Sequence, residues 1–138
     1  MSECIFCAIA AGTIPCTKVY ENNHVLAFMD IGPISDGHTL VIPKPHYERL
    51  HECPPELLAE TAKAIGLLAD PVKRAVGADG YNVLCNTGAA AGQVVGHVHF
   101  HIIPRKSGDG VFNRWPAYKY PEGKAQQIAE KIKQNLKL

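Results

Sequence analysis

The chain has almost no surplus of charge: 14 Lys and Arg stand against 13 Asp and Glu, a net of +1. It lacks both the basic field that draws a protein to nucleic acid and an acidic surface that would imitate one, so no nucleic-acid partner is expected. The first residues, Met1-Ser2-Glu3-Cys4, have no positive n-region and lead into no apolar h-region. No apolar run is long enough to span a bilayer, and a cytoplasmic protein with no membrane partner is the expectation. No repeat, low-complexity tract or linker divides the 138 residues, which suggests one domain over 1–138 with 46% hydrophobic residues to fill its core. A P-loop or kinase signature for γ-phosphoryl transfer is missing too. The cysteines number five. An odd count in an unexported chain favours free thiols or metal ligands over a disulfide framework.

What is present is a row of histidines at alternate positions, His97-Val98-His99-Phe100-His101-Ile102-Ile103. With 7 His in the chain, chance would produce such spacing about 0.02 times, so it needs a cause. A strand's period of two would aim all three imidazoles at one face. Metal binding, nucleophilic catalysis and phosphate binding could each use that face. Alternate strand residues lie about 6.7 Å apart and the outer pair about 13 Å, whereas zinc–nitrogen bonds are about 2 Å. A single ion held by all three would therefore demand a sharply bent strand. An inert row is disfavoured as well, because a buried face would ordinarily carry Val or Ile.

Upstream runs Asn86-Thr87-Gly88-Ala89-Ala90-Ala91-Gly92-Gln93-Val94-Val95-Gly96. Its small side chains leave backbone N–H groups free to approach an anion. A neutral imidazole can attack phosphorus while its neighbours donate hydrogen bonds where charge accumulates.

The local patterns predict an α+β chain. Residues 4–11 read as a short helix stopped by Gly12. Lys18–Glu21 and Val25–Met29 read as strands around an Asn22-Asn23 turn, with a third at His38–Pro43. Pro54-Pro55 opens a helix with Leu57, Leu58, Thr61, Ile65, Leu68 and Ala69 on one face, which Pro71 should kink or break and Gly77 should end. Tyr81–Cys85 and Val95–Ile103 supply further strands. Glu122–Leu138 forms a last helix with Ile128, Ile132 and Leu136 on one side. The expected result is an antiparallel sheet with one main helix packed on it and a C-terminal helix.

Cys4-Ile5-Phe6-Cys7 is a C-x2-C pair of the kind used for zinc or thiol redox. The elements that follow are not the βαβ unit a redox site would want. Zinc needs two more ligands, for which His46, His51, Cys16 and Cys53 are candidates on spacing alone. Two buried cysteines packed as small hydrophobes are the plainer alternative.

These residues together resemble the histidine triad (HIT) family of nucleotide hydrolases and transferases, whose signature His-φ-His-φ-His-φ-φ, with φ apolar, matches His97–Ile103 at every position. Asp30-Ile31, Gly37-His38-Thr39-Leu40-Val41-Ile42-Pro43-Lys44, Asn86 and Gly92-Gln93 follow the family's order. The likeness covers about residues 4–105, with 106–138 left as a C-terminal loop and helix. It implies a HIT-like fold and a covalent nucleotidyl-histidine on His99, with His101 stabilising phosphate oxygens and His38 completing a proton relay. It also implies phosphate contacts from Asn86, Gln93 and the backbone near Val94, and ribose contacts from Asp30. Ile5, Phe6, Phe28 and Ile31 would line the base pocket. Some family members hold a structural zinc with residues that correspond to Cys4, Cys7, His46 and His97. The implied substrates are adenosine phosphoramidates or diadenosine polyphosphates, and the implied assembly is a homodimer built on the main helix and a strand edge. A non-catalytic nucleotide-binding module and a metal-dependent hydrolase are the alternatives.

One residue departs from the pattern. Several members carry Ser or Thr where this chain has Val94, so one charge-assisted hydrogen bond of about 1.5–3 kcal/mol is missing from the transition state. Val94→Ser should raise kcat/KM on an amine-leaving phosphoramidate by roughly tenfold, and less on a pyrophosphate that leaves readily. Equal rates for both proteins on both substrates would show that backbone donors already suffice.

Overall fold

The computed structural model describes residues 4–112 and 114–137. The fold is α+β, with helices α1 (Ile5–Ala10), α2 (Pro55–Ala75) and α3 (Lys124–Asn135). Strands β1 (Lys18–Glu21), β2 (Val25–Met29), β3 (Thr39–Pro43), β4 (Gly80–Cys85) and β5 (Phe100–Arg105) pair antiparallel in the order β1-β2-β3-β5-β4. No helix among the described residues is long and apolar enough to cross a membrane.

Both faces of the central strands are buried, and the pleat sorts their side chains. Val25, Ala27, Val41 and Ile102 point to one face, where Ala64, Leu68 and Val72 of α2 pack on them. Leu26, Phe28, Leu40 and Ile42 point to the other, joined by Phe6 of α1. His101 pairs with Leu40 across β3 and β5, so it shares this second face while Ile102 goes to α2.

Pro71 does not break α2, which continues to Ala75. The carbonyl it leaves without an intrahelical partner belongs to Leu67, an exposed residue that water can reach. A helix-interior proline costs about 3 kcal/mol, while burial of Leu68 and Val72 on either side returns about 1.5–3 kcal/mol each. Packing outweighs the local defect. The last helix is also shorter than its apolar pattern suggested: it starts at Lys124 and ends at Asn135, and Leu138 lies outside the described residues. On its predicted apolar side Ile128 is half-buried, while Ile132 and Leu136 are exposed. The strand expected at Val95–Ile103 is β5, and it begins only at Phe100. The β3 strand likewise starts at Thr39, one residue after His38.

Candidate active site

Only His101 of the three alternating histidines lies within a strand. Residues 95–97 form a bend, with the His97 N–H on the Val95 carbonyl at 2.9 Å. The cause is at the end of β3, where Pro43 has no N–H to give the ladder and its carbonyl accepts the His97 Nε2–H at 2.8 Å. The β3–β5 ladder stops at Val41 opposite Phe100. The bend still leaves His99 beside His101, ring centroids 5.0 Å apart, and Phe6 stands edge-on to His99 at 5.1 Å.

The hydrogen bonds determine which nitrogen of each ring carries the proton. His99 Nδ1–H donates to the His97 carbonyl at 2.7 Å, so the lone pair sits on Nε2. His38 Nδ1 accepts the Ile34 N–H at 3.2 Å, which puts its proton on Nε2, and this proton is given to His101 Nδ1 at 2.8 Å. His101 is left with an N–H at Nε2 as a donor on the pocket side. Burial pushes the His38 imidazole below its ordinary value, opposed by the nearby Asp30 carboxylate. Burial, then His99 and His38, lower His101 to about 4. Both rings are neutral near pH 7, as the donor and acceptor roles require.

His99 and His101 close one end of a cavity of about 370 Å³. Ile5, Phe6, Phe28 and Ile31, the residues that the family resemblance places around a base, line it, and Asp30 lies on its wall. Ile9, Cys16, Met29 and Leu40 line it as well; an apolar wall residue carries no signal in the sequence that separates it from core. Val94 is 92% exposed at the mouth, so it is not a packing residue.

The loop before the histidines is held by a side chain expected to touch phosphate. Gln93 Oε1 accepts the Gly88 N–H at 2.8 Å, and its Nε2 donates to the carbonyls of Glu48 at 2.9 Å and Val95 at 3.1 Å. Both amide donors are used inside the protein in this structure, so Gln93 staples the loop. Gly92 adopts φ +99°, and a Cβ there would lie 3.4 Å from Asn86 Nδ2; glycine lets the loop turn over the Asn86 amide.

The N-terminal cysteines reach the same run of histidines. Cys4 Sγ lies 3.4 Å and Cys7 Sγ 3.6 Å from His97 Nδ1, while His46 Nδ1 is 3.3 Å from Cys7 Sγ and 3.2 Å from His97 Nδ1. His97 Nε2 is committed to Pro43, so its lone pair on Nδ1 faces the cluster. Zinc bonds of about 2.0–2.3 Å imply ligand separations of about 3.3–3.8 Å across a tetrahedron, which these distances approach. His51, Cys16 and Cys53 are not members of the cluster.

The two buried neutral rings make stability depend on pH. Their folded values lie below that of the unfolded chain, about 6.5, so between about 4 and 6.5 the unfolded chain binds more protons. This contribution is whole above that window and is lost as pH falls through it. Urea unfolding midpoints should drop from pH 7 to pH 5, by up to about 1.4 kcal/mol per pH unit for each ring, and His101→Gln should flatten the slope. An unchanged midpoint would show that the rings are charged when folded.

Comparison with known proteins agrees with this geometry. Residues 11–108 match the model of the HIT domain family. An adenosine 5′-monophosphoramidase of Schizosaccharomyces pombe is 43% identical over 136 residues, 98% of this chain and 99% of that protein. A solved HIT-family structure from Bacillus subtilis superposes with a TM-score of 0.92 at 41% identity, covering 99% of both chains. A zinc-bound histidine triad family protein from Mycobacterium smegmatis gives a TM-score of 0.74 at 42% identity, over 83% of this chain and 84% of that one. A row of histidines, two of them at a cavity, thus accompanies likeness along nearly the whole chain, and the protein belongs to the histidine triad (HIT) family.

Proposed function

We propose that the protein hydrolyses adenosine 5′-phosphoramidates in two steps through an adenylyl group carried on His99. The observation that carries this reading is the bond from His99 Nδ1–H to the His97 carbonyl at 2.7 Å, which reserves the Nε2 lone pair for attack at the cavity. In the first step Nε2 bonds to the α-phosphorus and the substrate's P–N bond breaks, the amine leaving with a proton taken from solvent. In the second, water attacks phosphorus and gives one proton back to solvent, the P–Nε2 bond breaks with its electron pair returning to Nε2, and AMP leaves. The His101 Nε2–H donates to a non-bridging oxygen as charge builds there. Asp30 accepts from ribose hydroxyls, the base lies among Ile5, Phe6, Phe28 and Ile31, and the Asn86 amide and the backbone near Val94 attend the phosphate.

Charge ranks the substrates. No Lys or Arg lines the cavity among the described residues, and His38 and His101 are held neutral. Neutral donors suit a phosphoramidate with one negative charge at phosphorus better than a polyphosphate chain with several. The monophosphoramidase name of the fission-yeast relative supports the same order; diadenosine polyphosphates stand as the second reading.

Zinc fits the cluster of Cys4, Cys7, His46 and His97, and a zinc-bound family member supports it. With four protein ligands no coordination position is open for substrate, so its contribution there is structural, tying α1 to the run that carries His99. The reading includes a cytoplasmic homodimer, for which the edge strand β4 with exposed Tyr81 and Val83 and the exposed Leu67 of α2 offer apolar surface.

His99→Ala should abolish turnover and leave AMP affinity nearly unchanged, because an attacking atom contributes to the transition state far more than to the ground state. Rapid-quench intact-mass spectra should show an adenylyl adduct on the unmutated protein alone; an adduct on His99→Ala would overturn the assignment. About one zinc per chain should copurify, and Cys4→Ser with Cys7→Ser should release it, lower Tm and spare part of the activity. Metal-free protein purified without chelator, or loss of all activity with the fold intact, would contradict a structural zinc.

A further inference from the structure

Three strand ends meet at the cavity, where Asp30 and His101 line the wall and the buried His38 bonds to His101. Asp30 directly follows β2, His38 directly precedes β3, and His101 pairs with Leu40 of β3 from within β5. The antiparallel register alone brings these side chains together. Asp30 Oδ1 accepts the Gly32 N–H at 2.8 Å, which fixes the carboxylate, and Oδ2 lies 3.4 Å from His38 Nε2. Gly37 makes this closure possible: it turns the chain at φ +90°, and a Cβ there would come within 3.0 Å of Pro104 and Val76.

The His38 Nε2–H goes to His101 Nδ1 at 2.8 Å, and the Asp30 carboxylate stands 3.4 Å from the same nitrogen, a charge that pulls on this N–H without bonding it. Asp30 is the one carboxylate among the described residues that line the cavity. It sits between the apolar slot and the two histidines, where a nucleotide spanning both would place its sugar. A carboxylate can only accept, and ribose hydroxyls donate.

We propose that Asp30 is a positioning residue that couples sugar recognition to chemistry: a ribose hydroxyl donating to its carboxylate frees the His38 N–H for His101 and so strengthens the His101 Nε2–H as a donor to phosphate. The inference rests on the nucleotide-hydrolase reading above. Donation into one nitrogen of an imidazole polarises the N–H on the other, as in any chain of hydrogen bonds. The proton stays on His38 throughout, and only the strength of its two interactions changes. The same three side chains lie within ligand reach of one cation. A cation there would drive the His38 proton onto Nδ1, against the Ile34 N–H that bonds it at 3.2 Å, so the geometry favours the relay.

The test compares adenosine 5′-phosphoramidate with its 2′,3′-dideoxy counterpart in single turnovers at saturating substrate, using the full chain. The unmutated protein should be slower on the dideoxy substrate by about fivefold or more in the rate constant itself, beyond any change in KM. In Asp30→Asn this ratio should fall to about one. In His38→Gln it should also fall to about one while the KM difference persists, because Asp30 still binds the sugar but no longer speaks to His101. A ratio of one in the unmutated protein, or a ratio that survives in His38→Gln, would show that Asp30 only binds. If His38→Gln does not fold, ring nitrogen shifts of the unmutated protein decide: those of His38 and His101 should differ between its AMP and dideoxy-AMP complexes, and identical shifts overturn the coupling. Failure to cleave either phosphoramidate would overturn the hydrolase reading itself, whereas cleavage at a sugar-independent rate overturns the coupling alone.

Discussion

The bond from His97 Nε2 to the Pro43 carbonyl, 2.8 Å long and fully buried, is the contact on which the rest of the site depends. It ends the β3–β5 ladder and so allows the histidine run to bend. It places the His97 proton on Nε2, which turns the Nδ1 lone pair toward Cys4, Cys7 and His46. The His97 backbone carbonyl then takes the Nδ1–H of His99. One residue thus connects a strand end, the cluster of Cys4, Cys7 and His46, and the orientation of the His99 ring. A buried hydrogen bond of this kind is worth only about 1 kcal/mol net, but leaving either partner unmade would cost about 1–3 kcal/mol. Its larger effect is on which tautomers exist.

In the proposed reaction neutral imidazoles take the place that cations fill in many phosphate sites. Burial keeps His38 and His101 uncharged, and their order of donation runs in one direction, from the Ile34 amide through both rings toward the cavity. In the proposed reaction such a chain would stabilise charge that develops at phosphorus without attracting polyanions strongly beforehand, which would favour the transition state over the bound ground state. It also makes acid doubly harmful, since protonation breaks the relay and removes stability together.

The loop 86–96 shows how a flexible composition becomes a fixed surface. Its small residues would cost entropy to order. Gln93 spans the loop with three hydrogen bonds and ties it to Glu48 beyond the third strand. Phe6 belongs to two environments: it fills the core face with Leu26 and Phe28 and also backs the rings of His97 and His99. Core packing and orientation of the reacting histidine are consequently not separable at this position.

Much of this was legible in the sequence because it rests on short-range periodicity. The apolar runs at Val25–Met29 and before Pro43 marked strands, and the spacing from Leu57 to Ala69 marked the helix that packs on their sheet. The His97–Ile103 pattern marked the run whose His99 and His101 border the cavity, and resemblance named the Cys4, Cys7, His46 and His97 set that the fold brings together. The exceptions share a cause. Where β5 begins was decided by Pro43, whose carbonyl His97 takes from 54 positions away. Whether Pro71 broke its helix was decided by the sheet beneath Leu68 and Val72. Gln93 became a staple because the Glu48 and Val95 carbonyls lay within its reach, and the coupling of Asp30 to His38 and His101 exists only where three strand ends meet. A local pattern can state which side chains share a face, since that follows from backbone geometry within a few residues. Which partner a polar group finds depends on distances between segments remote in sequence, and those are set only when the chain has packed.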